Sequence, residues 1–562
     1  MPTISIMHKD LCNLLGVDIS IDEIKDRLFS LKYVIEDVIN DEIFLEVTAD
    51  RPDLLSVEGI ARELKGLLGK EKGIPKYKVY ESDVSVEVLP GIKNIRPYIA
   101  CAVLKNVSLN DEAIRQVMQL QEKLHVTYCR NRKKVSIGVH DLDKVKHKLF
   151  YDGVEPENIK FVPLDEEKEM NGKEILEQTP KGREYGHLIK DFPRYPLLYD
   201  SDKNVLSMPP IINGSLTKVT SKTKNLLLDV TGTDEGLVNF VNNIMATNIA
   251  ERGGAIGKVK IIYPNKRTIT PDLRPRKIKI KKESIEEMIG IKFSKKDILR
   301  TLRMMRYDIA SSKKNVITVL IPPYRVDILH EVDLVEDIAI AYGYDRLEPI
   351  APFTMTMGKE LPMTKFSRLI RDLMIGFGFQ EVLNFVMSNK NVLFNKMNLQ
   401  EEEVVEVANP LSSEYSVLRN WLIPVLLNFL SLNKHVAYPQ KIFECGDVVI
   451  IDYSKPNRTK TLKKLAAAIC DYRVSYEDIQ GPLYSLLSNL GFESWKVKRI
   501  NHPSFIQGRV AGLFLESNQK EHEVGILGEI HPIVLNNFGL ENPVVAFELN
   551  LNELLKAKNN KI

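Results

Sequence analysis

The stretch from residue 316 to 344 leaves the chain the fewest options. Val316–Ile321 is apolar and β-branched, which suits a strand. Pro322 and Pro323 follow at once; neither has an amide proton for a sheet ladder, so the strand stops or becomes an edge there. Beyond them Leu334, Val335, Ile338, Ala341 and Tyr342 recur at helical spacing. That spacing predicts a helix over about 332–342, stopped by Gly343. At roughly 100° per residue Asp333, Glu336 and Asp337 fall on the opposite side, and Asp327 in the incoming loop can fold back to the same end. Carboxylates so gathered can hold a hard cation such as Mg²⁺. The same acids also suit the first turn of a helix dipole and an ordinary solvated face. On spacing alone both readings stand.

At 562 residues the chain is too long for one core, and three to five domains are expected. A hydrophobic content of 44% with 27% charged residues excludes a disordered or fibrous chain. The net charge of +3 is near neutral for this size, so it neither demands nor excludes nucleic acid. No run approaches about 18 apolar residues, so no membrane span is expected. Residues 1–10 lack the apolar centre of a signal peptide. Cys12, Cys101, Cys129, Cys445 and Cys470 make no Cys-x-x-Cys pair, and no Cys/His cluster has zinc spacing. An odd, scattered set suits a reducing cytosol, so a cytoplasmic protein is expected.

Residues 1–82 read as a small mixed domain: a strand at 4–6, a helix over 21–29, a strand over 42–47, and a helix through Leu68 capped by Asp53 or Ser56. Residues 83–270 alternate strand-like and helix-like runs, with 151–180 an acidic, turn-rich surface excursion. Here Ser207 precedes Met208-Pro209-Pro210, and Asp229 and Thr231 lie two apart at the end of an apolar strand, so they share a face. A hydroxyl, a carboxylate and a second hydroxyl can orient a water at an ester; they also suit local hydrogen bonding at a strand end. Residues 271–350 form the module of the opening. Its lysine-rich start at 274–282 suits a protected edge strand better than an RNA contact. Ser284 and Ser294 are candidate helix caps. A linker rich in Pro, Met and Thr occupies 349–362. Residues 363–562 then read as one large α/β domain with an apolar helix at 421–432.

Four blocks of motif, in order, carry a family resemblance. Pro-Pro-Tyr-Arg-Val-Asp-Ile from Pro322, Asp-Leu-Val-Glu-Asp-Ile-Ala from Asp333 and Tyr-Gly-Tyr-Asp from Tyr342 resemble the winged-helix-like module of phenylalanyl-tRNA synthetase β subunits. Arg-Pro-Asp-Leu-Leu-Ser-Val-Glu-Gly from Arg51 resembles a recurring signature of the same subunit. Leu-Ser-Met-Pro-Pro-Ile-Ile-Asn from Leu206, then Asp-Val-Thr-Gly from Asp229, resembles its archaeal and eukaryotic type of editing domain. The order of elements after residue 363 resembles its degenerate class II synthetase domain.

The resemblance implies an N-terminal mixed domain (1–82), an α/β editing domain binding mischarged tRNA ends (83–270), a winged-helix-like module (271–350) and an inactive, antiparallel-sheet synthetase-like domain (351–562). It implies Mg²⁺ on Asp327, Asp333, Glu336 and Asp337, one of them Asp where many relatives carry Glu, in a site shared with an α subunit. It implies hydrolysis of mischarged Tyr-tRNA through Leu198, Ser207, Asp229 and Thr231. The expected assembly is an (αβ)₂ tetramer that binds tRNA, with amino-acid activation in α. Longer bacterial β subunits continue into an anticodon-binding module that this chain is expected to lack.

A working class II site needs one arginine on its central strand and another late in the fold to grip ATP phosphates, because a guanidinium binds phosphate oxygens in pairs. Phe443-Glu444-Cys445-Gly446 has none, nor does 528–531, so this domain is expected to be catalytically silent. His502 and His531 each precede proline and read as turn residues. The alternative from a different class is a free-standing tRNA-binding or editing protein without a synthetase partner. The bulk of the last domain and its apolar helix at 421–432 weigh against it, since they suit a large interface.

Overall fold

The computed structural model describes residues 2–351, 356–517 and 520–559. The chain forms two compact units, 1–351 and 352–562. Of the linker read at 349–362, residues 352–355 lie outside the described residues; a helix, Pro362–Gly376, follows it.

The first unit begins with a three-stranded antiparallel sheet, Thr3–Met7, Glu42–Glu46 and Val34–Ile39 in that spatial order. Ser56 caps the helix Val57–Leu67, accepting from Gly59 N at 3.3 Å. The Arg51–Gly59 signature has a physical role beyond that cap. Arg51 donates to Asp53 and Glu63 in a buried network, and Arg62 donates to Asn248 at 2.7 Å across the unit. Gly59 belongs to it because a Cβ there would lie 1.9 Å from Asp53 O.

A ten-stranded mixed sheet follows, running from Ile212–Asn213 and Val205–Met208 at one end to Leu226–Gly232 and Val135–Asp141 at the other. The long helix Glu235–Ala250 packs on it. The segment 151–180 differs from expectation. It contains the helix Gly172–Gln178, and Ile159, Phe161 and Ile175 are buried with Tyr185, Ile189 and Tyr195 in a small core of their own. Isolated apolar residues among many acids hid that core.

The third sheet has Arg276–Lys281 at an edge, as the lysine pattern predicts, beside Val316–Ile321, with Asp308–Lys313 beyond. Ser294 caps Lys295–Met304, whereas Lys282–Ile289 begins before Ser284 and has no side-chain cap. The helix Glu331–Tyr342 starts one residue earlier than its apolar spacing indicates. One continuous core, from Ile4 to Ile340, joins these parts.

The second unit is a seven-stranded sheet, antiparallel except at one edge, where Gln380–Glu381 runs parallel to Gln440–Ile451. The strand Thr459–Cys470 shows why the run at its end is apolar throughout. Leu465, Ala467 and Ile469 face helices Pro362–Gly376 and Tyr476–Asn489, while Ala466, Ala468 and Cys470 face Ile423–Leu432. A strand covered on both faces loses its polar alternation. Ile423–Leu432, whose apolarity suggested an interface, is therefore mostly core. Exposed apolar side chains of this unit include Leu383, Phe385, Leu411 and Leu432. Among the described residues, no helix is long and apolar enough to cross a membrane.

Candidate functional site

In the ten-stranded sheet, the strands carrying Ser207 and Asp229 stand near opposite ends of the strand order. Yet Ser207 Oγ donates to Asp229 Oδ2 at 2.9 Å, and Arg132 donates to Ile211 O at 3.0 Å. The sheet curls until its two ends face one another. At that seam lies a cleft of about 610 Å³, lined by Ser207, Pro210, Asn213, Ser136, Gln121 and Asp229 among others.

Asp229 pairs in register with Gly138 on the neighbouring strand. Glycine is needed there for close approach, because a Cβ would lie 1.8 Å from Asp229 Oδ1. His140, two residues on, brings Nε2 within 3.4 Å of the same oxygen. On its other side His140 Nδ1 lies 2.8 Å from Thr217 Oγ1, which is also within reach of Gly214 O. Thr217 Oγ1 can accept from or donate to Nδ1, so either ring nitrogen of His140 can carry the proton. Both Nε2 and Oδ1 are buried and have no hydrogen-bond partner among the described residues. Asp229 lines the cleft, and its unpaired buried carboxylate oxygen calls for a donor, a water or a substrate hydroxyl.

The other two expected residues sit elsewhere. Thr231 shares the strand face with Asp229, but its Oγ1 accepts from Arg96 Nε at 3.0 Å and pairs with Ser136 Oγ at 3.0 Å. Leu198 is opposite Ser207 in the strand register and wholly buried, supporting that strand rather than lining the cleft. His140, Ser136 and Gly138 were missed. The one available signal was a histidine inside a fully buried strand.

A pillar beside the cleft holds the strand Val135–Asp141 in place. His125 Nε2 accepts from Ile137 N at 2.9 Å, which fixes the neutral tautomer with its proton on Nδ1 toward Glu122. Burial lowers the His125 pKa. Burial opposes ionisation of Glu122 too, but the His125 hydrogen bond and the Arg132 guanidinium outweigh it and hold that carboxyl at about 2.

The acidic quartet is only partly gathered. Arg325 Nη2 donates to Asp327 Oδ2 and to Asp337 Oδ2, each at 2.7 Å, and Tyr307 also donates to Asp337. Asp337 is thus buried, 4% exposed, and does not share the solvated face that its spacing suggests. Arg325 draws it inward. Burial raises the Asp337 pKa against the pull of Arg325, whereas for Asp327 the same arginine outweighs burial and lowers it. Asp333 Oδ2 caps the helix, accepting from Leu329 N and His330 N at 2.7 Å each. Glu336 pairs with Lys32 at 2.7 Å. In kind, four carboxylates fit Mg²⁺. In place they do not yet converge: among the described residues no three of them bring ligand oxygens within 4.8 Å of one another.

In the second unit Glu444 holds Arg419 at 2.6 Å, and Arg419 donates to Asp447 O at 3.0 Å. This arginine, 1% exposed, is committed to the interior.

Four family models match the chain in order: the Phe-tRNA synthetase beta subunit B1 domain over residues 1–70, the B3/4 domain over 84–244, the tRNA synthetase B5 domain over 278–344 and the phenylalanyl tRNA synthetase beta chain CLM domain over 348–551. They define a chain of the aminoacyl-tRNA ligase class. Phenylalanine–tRNA ligase beta subunits of Pyrococcus furiosus and Methanocaldococcus jannaschii are 44% and 41% identical to it, over 99% and 98% of this chain and 100% of each relative. The crystal structure of an N-terminal fragment of the Pyrococcus horikoshii phenylalanyl-tRNA synthetase beta subunit, 42% identical, covers 61% of this chain and 100% of that fragment with a TM-score of 0.59. The chain belongs to the phenylalanyl-tRNA synthetase beta subunit family.

Proposed function

We propose that this chain serves an α partner that charges tRNA with phenylalanine, and that the cleft at the sheet seam hydrolyses mischarged Tyr-tRNA. The observation that carries the reading is Asp229: a buried carboxylate, steadied by Ser207, with one oxygen unpartnered at a cleft wall. Asp229 Oδ1 takes a proton from water as the water oxygen attacks the ester carbonyl carbon. The bond to the ribose oxygen breaks, and that oxygen leaves, taking the proton back from Asp229. Gln121 and Asn213 supply further hydrogen-bonding groups for a phenolic hydroxyl. A site built to bind that hydroxyl discriminates strongly against the analogue lacking it. The test is deacylation by the chain: Tyr-tRNA with the phenylalanine anticodon is hydrolysed and Phe-tRNA is spared. Equal rates on both would remove the editing reading.

Exposed Leu383, Phe385 and Leu432 line one open cleft, which supports docking of the α partner on the second unit. Asp333 and Glu336, at the solvent side of their helix, would hold Mg²⁺ with waters, and the ion would supply positive charge there. The double change Asp333→Asn with Glu336→Gln is then expected to abolish any Mg²⁺ dependence of α association. A Mg²⁺ response persisting in that variant would return both to an ordinary capped helix face.

A further inference from the structure

A second group of ligating side chains lies in the N-terminal helix, away from the cleft. His8 opens the helix His8–Leu15, and Cys12 stands one turn further along the same face. Gly16 then adopts φ +66°, ends the helix and reverses the chain, which returns Asp18 over that face. An imidazole nitrogen, the thiol sulphur and a carboxylate oxygen from these three residues all lie within 4.8 Å of one another. They line a solvent-open cleft of about 570 Å³, so an ion has a path in.

The spacing suits a particular ion. His8 Nε2 is 3.5 Å from Cys12 Sγ. A tetrahedral zinc ion, with Zn–N about 2.0 Å and Zn–S about 2.3 Å, holds such a pair about 3.5 Å apart. Ile19 O lies 2.7 Å from Nε2 and 3.9 Å from Sγ, a backbone oxygen near a fourth position. The other ring nitrogen, Nδ1, faces Asp41 Oδ1 at 3.6 Å. A carboxylate behind the imidazole is the usual means of orienting a metal-bound histidine. Thiolate and imidazole together favour Zn²⁺ over Mg²⁺ or Ca²⁺, which take oxygen ligands.

We propose that His8, Cys12 and Asp18 form a zinc site that fastens the loop after the first helix back onto it. On binding, the Cys12 thiol gives its proton to solvent. The His8 ring proton moves to Nδ1, toward Asp41, and Nε2 turns from Ile19 O to the ion. Ile19 O or a water completes the coordination. A His-x-x-x-Cys pair alone does not have zinc spacing in sequence; the left-handed turn at Gly16 supplies the third ligand.

The test uses the full chain, freed of metal and titrated with Co²⁺ as a spectroscopic probe, then with Zn²⁺. One equivalent of Co²⁺ is expected to give a thiolate-to-cobalt charge-transfer band that Zn²⁺ abolishes. Cys12→Ser is expected to lose the band. Asp41→Asn is expected to keep it while Zn²⁺ affinity falls about 10–100-fold. Cys445 is the other partly accessible thiol, so a band surviving in Cys12→Ser overturns the proposal. So does a folded wild-type chain with no band. Should Cys12→Ser fail to fold, alkylation of the wild type decides. Zn²⁺ is expected to protect Cys12 from iodoacetamide, and full labelling at saturating Zn²⁺ overturns the site.

Discussion

Ser207 and Asp229, on strands near opposite ends of a ten-stranded sheet, are joined by a 2.9 Å hydrogen bond. That bond marks the seam at which the sheet closes on itself, and the cleft lies at that seam. The placement gives Asp229 a support on one oxygen and leaves the other, buried beside Gly138 and His140, without a hydrogen-bond partner among the described residues.

Gly138→Ala tests the packing of that carboxylate. The new methyl would meet Asp229 Oδ1 at 1.8 Å and His140 Nε2 at 2.7 Å, so the carboxylate must move. A displacement of about 1 Å at a reacting group costs on the order of 10²-fold in rate. Tyr-tRNA hydrolysis is expected to fall by about that factor, with phenylalanine charging by the α-containing complex unchanged. Wild-type hydrolysis in this variant would place the reacting group elsewhere.

Arg325→Met tests the buried ion cluster. It strips Asp327 and Asp337 of their shared guanidinium. Removing one partner of a buried pair costs about 3–5 kcal/mol. Urea unfolding is expected to show a loss of that size, partly recovered by adding Asp337→Asn. A neutral Arg325→Met would mean that water, not the arginine, satisfies these acids.

The pillar beside the cleft sets an acid limit. The folded Glu122 carboxyl is held at about 2, against about 4.3 in an unfolded chain. Between those values the unfolded chain binds more protons, so stability falls as pH falls. Glu122's contribution is complete above about pH 4.3 and lost as pH drops through about 2. Half-exposed Glu122 is screened by water, so the effect is modest. His125 acts in the same sense: its folded pKa is lowered, so its contribution is present above about 6.5 and falls as pH drops below that. Thermal unfolding from pH 7 to 3 is expected to show a shallower acid slope in Glu122→Gln. Identical slopes would assign the acid loss to other groups.

Much of this was legible in the sequence, for stateable reasons. The strand Val316–Ile321 and the helix Glu331–Tyr342 follow from apolar spacing bounded by prolines and a glycine. Ser207, Asp229 and Thr231 were legible as a set of polar residues in apolar strands, but their positions were not. Curling of the sheet joins Ser207 to Asp229, while Arg96, distant in sequence, takes Thr231 away. Asp337 misled for a similar reason. A helical projection puts it beside Asp333 and Glu336, yet a buried arginine on the incoming loop decides its environment. Periodicity reports which way a side chain points; it carries no information about a partner from another element.

The second unit is expected to be silent in amino-acid activation. Arg419, the arginine paired with Glu444 of the central strand, is buried and cannot reach a phosphate without leaving a buried carboxylate unpaired. ATP–pyrophosphate exchange with the folded chain alone is expected to show no phenylalanine dependence. Robust phenylalanine-dependent exchange would mean a second, working activation site.

The most direct measurement compares wild type with Asp229→Ala in complex with the α partner, following Tyr-tRNA deacylation and phenylalanine charging side by side. Loss of a general base costs about 10²–10⁴-fold. Deacylation is expected to fall within that range while charging holds. Undiminished deacylation by Asp229→Ala would contradict the assignment of hydrolysis to the seam of the sheet.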